Sequence, residues 1–71
     1  MSTSLNKKIA SRIKQLRIDK GITQEEMSFD LNASHSYMSR IEMGQHSPSI
    51  ETIQKICDVL EISLAEFFKD L

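Results

Sequence analysis

The chain has 71 residues, a formal net charge of −1 and a single cysteine. A chain of this length forms one small domain with a limited core. The single cysteine excludes an internal disulfide, no apolar run approaches membrane-spanning length, and nothing resembles a signal peptide. We therefore expect a protein of the reducing cytoplasm with no membrane partner, in which Cys57 is a small core residue rather than a reactive thiol.

Charge is distributed unevenly along the chain. Residues 1–43 hold seven Lys and Arg against five Asp and Glu, a balance of two positive charges. Residues 44–71 hold two against five, a balance of three negative charges. A basic front and an acidic back would orient the molecule on a polyanion such as DNA. Scattered solubilising charge is the alternative explanation.

The first predicted helix covers residues 5–20 and follows a disordered start at residues 1–4. Its apolar residues recur at helical spacing on one face: Ile9, Ile13 and Leu16. Gly21 ends this helix as a left-handed cap.

Two short helices follow, joined by a tight turn. Thr23 and Glu26 form a capping box that starts the second helix. Asn32 lies where the chain needs a left-handed conformation, and Ser34 caps the third helix, which runs to about Met43. Small residues, Ser28 and Ala33, occupy the positions where the two helices would touch.

Two more amphipathic helices complete the chain after a polar loop at residues 45–48. Ser49 caps the fourth, and Ser63 and Glu66 form a second capping box that starts the fifth. The fourth is predicted to turn these residues inward: Ile50, Ile53, Ile56, Cys57 and Leu60. With no strand pattern, the sequence predicts an all-α domain of five short helices over residues 1–71.

The second and third helices together, residues 23–43, have the spacing of a helix-turn-helix. Met27 and Leu31 lie four apart on one helix, and Met38 and Ile41 three apart on the next. Helices joined by so few residues cross steeply, and the second can enter a DNA major groove. A helical corner with no DNA-binding role fits the same spacing.

Three motifs occur in an order that resembles the XRE family of lambda-repressor-like, Cro-type regulators. They are Thr23-Gln24-Glu25-Glu26-Met27, Ser39-Arg40-Ile41-Glu42-x-Gly44 and Pro48-Ser49-Ile50-Glu51-Thr52-Ile53. The resemblance covers residues 6–68, and within the family the chain looks most like the small controller proteins of restriction–modification systems. Single-domain phage repressors and biofilm or sporulation regulators look nearly as similar. Asn32 replaces the family's usual Gly, and Ser28 its usual Ala.

This resemblance implies a five-helix, lambda-repressor-like fold that binds operator DNA as a symmetric homodimer. It also implies an ion pair between Arg17 on the first helix and Glu42 at the end of the third. Both residues sit beside apolar positions, where an unpaired charge would be costly.

The third helix supplies the candidates for DNA recognition. The start of a recognition helix meets base edges, so the predicted base-reading residues are His35, Ser36, Ser39 and Arg40. Residues around it are predicted to contact phosphates and to fix the register: Arg12, Thr23, Gln24, Ser34, Tyr37, Gln45, His46, Ser47 and Ser49. Alternatively, Tyr37 is a partly exposed ring lying on the second helix, and Gln24 serves only the helix start.

The last helix, about residues 63–71, is predicted to form the dimer interface. It carries more apolar area than one inward stripe requires, in Leu64, Phe67, Phe68 and Leu71. We expect Leu64 and Phe67 to cover the core, and Phe68 and Leu71 to meet the partner. The alternative is that all four close the core.

Other functions have weaker support. His35 and His46 lack further ligands at metal-binding spacing, and no set of catalytic residues stands out. We therefore expect that the protein binds no metal, cofactor or small-molecule ligand and that it is not an enzyme. The rival interpretations are an antitoxin-like protein-interaction module, a structural bundle, and, among regulators, a phage-type repressor.

Overall fold

The computed structural model contains five helices in chain order. They are α1 (Ser2–Lys20), α2 (Gln24–Asp30), α3 (Tyr37–Glu42), α4 (Ile50–Leu60) and α5 (Leu64–Phe68). The structure describes the backbone of residues 2–69 and 71, and the side chains of residues 4–69 and 71. No strand occurs within that part of the chain, and the predicted five-helix, all-α architecture is confirmed. The predicted disordered start is wrong for residues 2–4, which belong to α1, and Met1 lies outside the described residues.

The core lies where α1, the α2–α3 pair and α4 converge, and α5 closes it against α4. Every helix contributes to it, and its buried members are Ile9, Ile13, Met27, Met38, Ile41, Ile53, Ile56, Cys57, Leu60 and Phe67. Ile50 was predicted to point inward but is 59% exposed. It is the first residue of α4, ahead of the turn at which that helix meets the core. No helix in the described part of the chain is both long and apolar enough to cross a membrane.

Four of the helices end in the same way. A residue with positive φ follows the last turn, at Gly21, Asn32, Gly44 and Glu61. In each case two backbone N–H groups bond back to the last turn, as when Ala33 donates to the carbonyl of Ser28 at 2.9 Å. This closure satisfies carbonyls that would otherwise lack partners. Gly21 and Asn32 confirm the predicted left-handed positions. No such conformation was predicted at Gly44 or at Glu61, and Glu61 carried no glycine or asparagine signal.

The helix starts use serine and threonine hydroxyls. Thr23 and Glu26 form the predicted capping box, in which each side chain bonds to the backbone of the other. Ser63 accepts from the N–H of Glu66 at 3.0 Å. The second predicted box is incomplete, because the Glu66 carboxylate turns towards Arg12, with 3.8 Å between Oε2 and Nη2.

Candidate nucleic-acid interface

The side of α3 that faces away from the core is polar. The four predicted base-reading residues lie here or just before the helix, exposed except for the partly buried Ser39: His35, Ser36, Ser39 and Arg40. On the opposite side, Met38 and Ile41 are buried and fasten the helix to the domain. α3 thus presents a short polar edge that a duplex can reach.

α3 begins later than the sequence predicted. Its N-cap is Ser36, not Ser34, and that cap makes no side-chain hydrogen bond. A helix capped at Ser34 would need the Met38 N–H to bond to the Ser34 carbonyl. Instead the Met38 N–H donates to the hydroxyl of Ser28 on α2, at 3.1 Å. The Ser34 carbonyl accepts from Tyr37 in a preceding turn at 3.0 Å, and the helix starts there.

His35 and Arg40 have intramolecular partners at the protein surface. The Nε2 atom of His35 lies 2.7 Å from the Glu25 carboxylate, an ion pair only when the imidazole is protonated. The Nη2 atom of Arg40 lies 3.5 Å from the Ser34 hydroxyl, at the limit of hydrogen bonding. Because both contacts are exposed, water or a nucleic-acid acceptor competes with them.

The loop after α3 is held beside the helix-turn-helix. The ring of His46 packs against that of Tyr37, with 5.7 Å between centroids. Ser47 is hydrogen-bonded through its hydroxyl to the side chain of Asn6 on α1, at 2.9 Å. Tyr37 and His46, both predicted phosphate contacts, are therefore neighbours, and Tyr37 also packs partly into the core.

The predicted phosphate contacts at helix starts already have local partners. The hydroxyls of Thr23 and Ser49 cap α2 and α4. The amide of Gln24 donates to a carboxylate oxygen of Glu42 at 3.0 Å. Their contacts to phosphate stay predictions, and these bonds show that each residue also has a structural role.

Arg17 and Glu42 form the ion pair that the family resemblance implies. The Nε atom of Arg17 lies 2.7 Å from Oε2 of Glu42, and Nη2 lies 3.1 Å from Oε1. A third donor, Nη1, bonds to the carbonyl of Ile22 at 2.7 Å. The pair joins α1 to the end of α3 and leaves neither charge unpaired.

Arg12 has a role that the sequence analysis missed. Its Nε donates to the carbonyl of Phe67 at 2.9 Å, and its Nη2 to that of Glu66 at 2.7 Å. The guanidinium therefore binds two carbonyls at the end of α5, where backbone acceptors outnumber the helix's own donors. The carbonyl of Glu66 also accepts from the N–H of Lys69, at 3.3 Å. Its predicted contact with phosphate gains no support from this geometry. These carbonyls lie 55 and 54 positions from Arg12 along the chain, and no local sequence signal links residues so far apart.

Among the described residues, no three of His, Cys, Asp and Glu lie together so as to hold a metal ion.

Phe68 and Leu71, predicted to meet a partner, are 36% and 37% exposed, while Phe67 is fully buried and Leu64 packs against the core. The structure thus divides the four apolar residues of the chain end as predicted. Their contact with a second copy stays a prediction.

Comparison with known proteins finds the same architecture elsewhere. The restriction–modification controller protein C.Esp1396I, solved as a tetramer in complex with its natural 35 base-pair operator, is 34% identical, with a TM-score of 0.83 over 92% of this chain and 86% of that one. The transcriptional regulator PuuR of Escherichia coli (strain K12) is 36% identical over 59 residues. SinR of Bacillus subtilis (strain 168) is 39% identical over 57 residues.

The curated relatives are longer proteins. The matched regions cover 83% and 79% of this chain but only 32% of PuuR and 51% of SinR. A helix-turn-helix family model matches residues 13–67, which include residues 13–20 of α1, the whole of α2, α3 and α4, and all of α5 except Phe68. The chain therefore belongs to the helix-turn-helix family of XRE type.

Proposed function

We propose that this chain is a sequence-specific, DNA-binding transcriptional regulator of the controller-protein type, which binds an inverted-repeat operator as a homodimer. The observation that carries the proposal is the likeness to C.Esp1396I, which spans 92% of this chain and 86% of a protein solved on its own operator. The proposed setting is the cytosol of a bacterium, where the DNA lies and Cys57 stays reduced.

In this proposal α3 lies in the major groove. Arg40 is the main base reader, because its guanidinium can make two hydrogen bonds to one guanine. Neighbouring bases are approached by His35 and Ser36, which lie just before α3, and by Ser39 in its first turn. The short serines permit close approach, but they discriminate poorly on their own.

The flanking residues hold the domain on the backbone. Phosphate contacts are assigned to the start of α2, through Thr23 and Gln24, and to the turn and loop that border α3, through Ser34, Tyr37, Gln45, His46, Ser47 and Ser49. Such contacts fix the register and carry no direct sequence information. They make the affinity depend on salt.

Homodimerisation follows from the size of the site that one copy can read. One recognition helix reaches a half-site of about four base pairs, too few to define one place in a genome. Two copies related by a two-fold axis double the site and space the half-sites about one helical turn apart. We assign the contact between copies to the exposed Phe68 and Leu71.

Selection from random-sequence duplexes tests the proposal. The selected pool should converge on an inverted repeat, and affinity for it should fall steeply with rising salt and exceed that for an unselected duplex about a thousandfold or more. Sedimentation should give two chains per selected duplex. A pool that does not converge, with equal affinity for all duplexes, would favour the antitoxin-like or structural interpretation.

A further inference from the structure

The start of α3 depends on another helix. The side chain of the N-cap residue Ser36 makes no hydrogen bond to the helix, and the N–H of Tyr37 donates to the carbonyl of Ser34. The next intrahelical bond is that of Arg40 to the carbonyl of Ser36, at 3.1 Å. The buried Met38 N–H lies between them, where water cannot satisfy it.

Ser28 supplies the missing acceptor. Its hydroxyl oxygen lies 3.1 Å from the Met38 nitrogen, and the residue is 1% exposed. Gln24, one turn earlier on α2, bonds to Glu42 at the other end of α3. Two side chains of α2 thus hold α3, one at each end.

We infer that Ser28 is a positioning residue for DNA readout, which sets where the start of α3 lies relative to α2. The apolar contacts between these helices are non-directional and tolerate sliding and rotation. A hydrogen bond to one backbone N–H is directional and removes that freedom. Ser36 and Arg40, two residues to either side of Met38, are fixed with it. This inference rests on the proposed function, because it needs a recognition helix to position.

The test compares Ser28→Ala with Ile56→Val. The first removes the acceptor and leaves every proposed DNA contact in place. The second trims a buried side chain of α4 and controls for a general loss of stability. Each variant is titrated with the selected operator and with an unselected duplex of equal length, at a temperature where circular dichroism shows it folded.

Ser28→Ala should lower the ratio of operator affinity to unselected-duplex affinity about tenfold, the effect of weakening one good base contact. Ile56→Val should leave that ratio unchanged. A Ser28→Ala ratio equal to that of the unmodified chain would overturn the inference, because the bond would then serve stability alone. If the unmodified chain itself shows no preference, the proposed function fails instead, so the two failures are distinguishable.

Ser28→Cys covers the case in which the alanine variant does not fold. Cysteine keeps nearly the same shape and offers a sulfur that accepts hydrogen bonds only weakly. Its affinity ratio should fall below that of the unmodified chain by less than tenfold. An undiminished ratio in a folded Ser28→Cys variant would contradict the positioning role.

Discussion

Arg17 and Glu42 form a bidentate ion pair between α1 and the end of α3, with their side chains only 10% and 2% exposed. The Glu42 carboxylate also accepts from Gln24, and the Arg17 guanidinium also donates to Ile22. One buried network therefore fixes α1, the start of α2 and the end of α3 against each other. Such a network is costly to break from one side, because the remaining charge has no route to water.

Glu42→Ala should therefore lower the free energy of unfolding by about 3 kcal/mol, because it strands the guanidinium of Arg17. The double variant Arg17→Met, Glu42→Ala should recover part of that loss, since no buried charge remains. Urea denaturation of the single and double variants measures the coupling. Lys20→Ala is the control: it breaks an ion pair of the same 2.7 Å length at an exposed site and should change stability little. Additive single-variant effects would show that the pair is not coupled.

Arg40→Ala should remove discrimination at one operator position while preserving the fold. The loss of a bidentate contact to guanine should cost about 1–3 kcal/mol against the matching base pair and little against a mismatched one. Titration of operators substituted one base pair at a time locates the position. Lys55→Ala removes an exposed positive charge from α4 and should not alter the base preference. Unchanged relative affinities in Arg40→Ala would assign this arginine to the backbone instead.

The double variant Phe68→Ala, Leu71→Ala should weaken dimerisation, because the two exposed side chains provide the apolar centre of the proposed interface. Truncation of central interface residues of this kind costs about 2 kcal/mol or more. Sedimentation equilibrium measures the dimer dissociation constant. Phe29→Ala is a matched control, because Phe29 is 83% exposed but lies on α2. Dimerisation as strong as in the unmodified chain would place the interface elsewhere.

Cys57 should behave as a core residue in chemical modification. Burial, and secondarily the charge of Asp58, raises the pKa of its thiol above the ordinary value. The folded chain should therefore resist a thiol-specific disulfide reagent at neutral pH and react on unfolding.

The same pKa shift has a consequence for alkaline stability. The unfolded thiol ionises at its ordinary pKa while the folded one stays protonated, so stability is lost as the pH rises from the ordinary pKa towards the raised one. Cys57→Ala should flatten that decline in urea denaturation measured across alkaline pH. Rapid reaction of Cys57 with the disulfide reagent in the folded chain at neutral pH would contradict its assignment as a buried core residue.

Local signals in the sequence determined the helices and most of their ends. The left-handed positions at Gly21 and Asn32 and the capping box at Thr23 were predicted because each depends on residues only a few positions apart. The apolar spacing likewise predicted the buried faces, because helical period alone decides which side chains point one way. The DNA-binding candidates came from their places on and around the predicted third helix, which the spacing of apolar residues indicates.

Tertiary structure decided the features that depend on partners far along the chain. α3 starts at Tyr37 because the N–H of Met38, which a longer helix would have used, donates instead to Ser28, ten residues before Met38. Arg12 binds carbonyls of α5 because the fold brings the two helices together, and no periodicity encodes that approach. Hydrogen bonds of this kind depend on distances between helices, which are set only when the whole core packs.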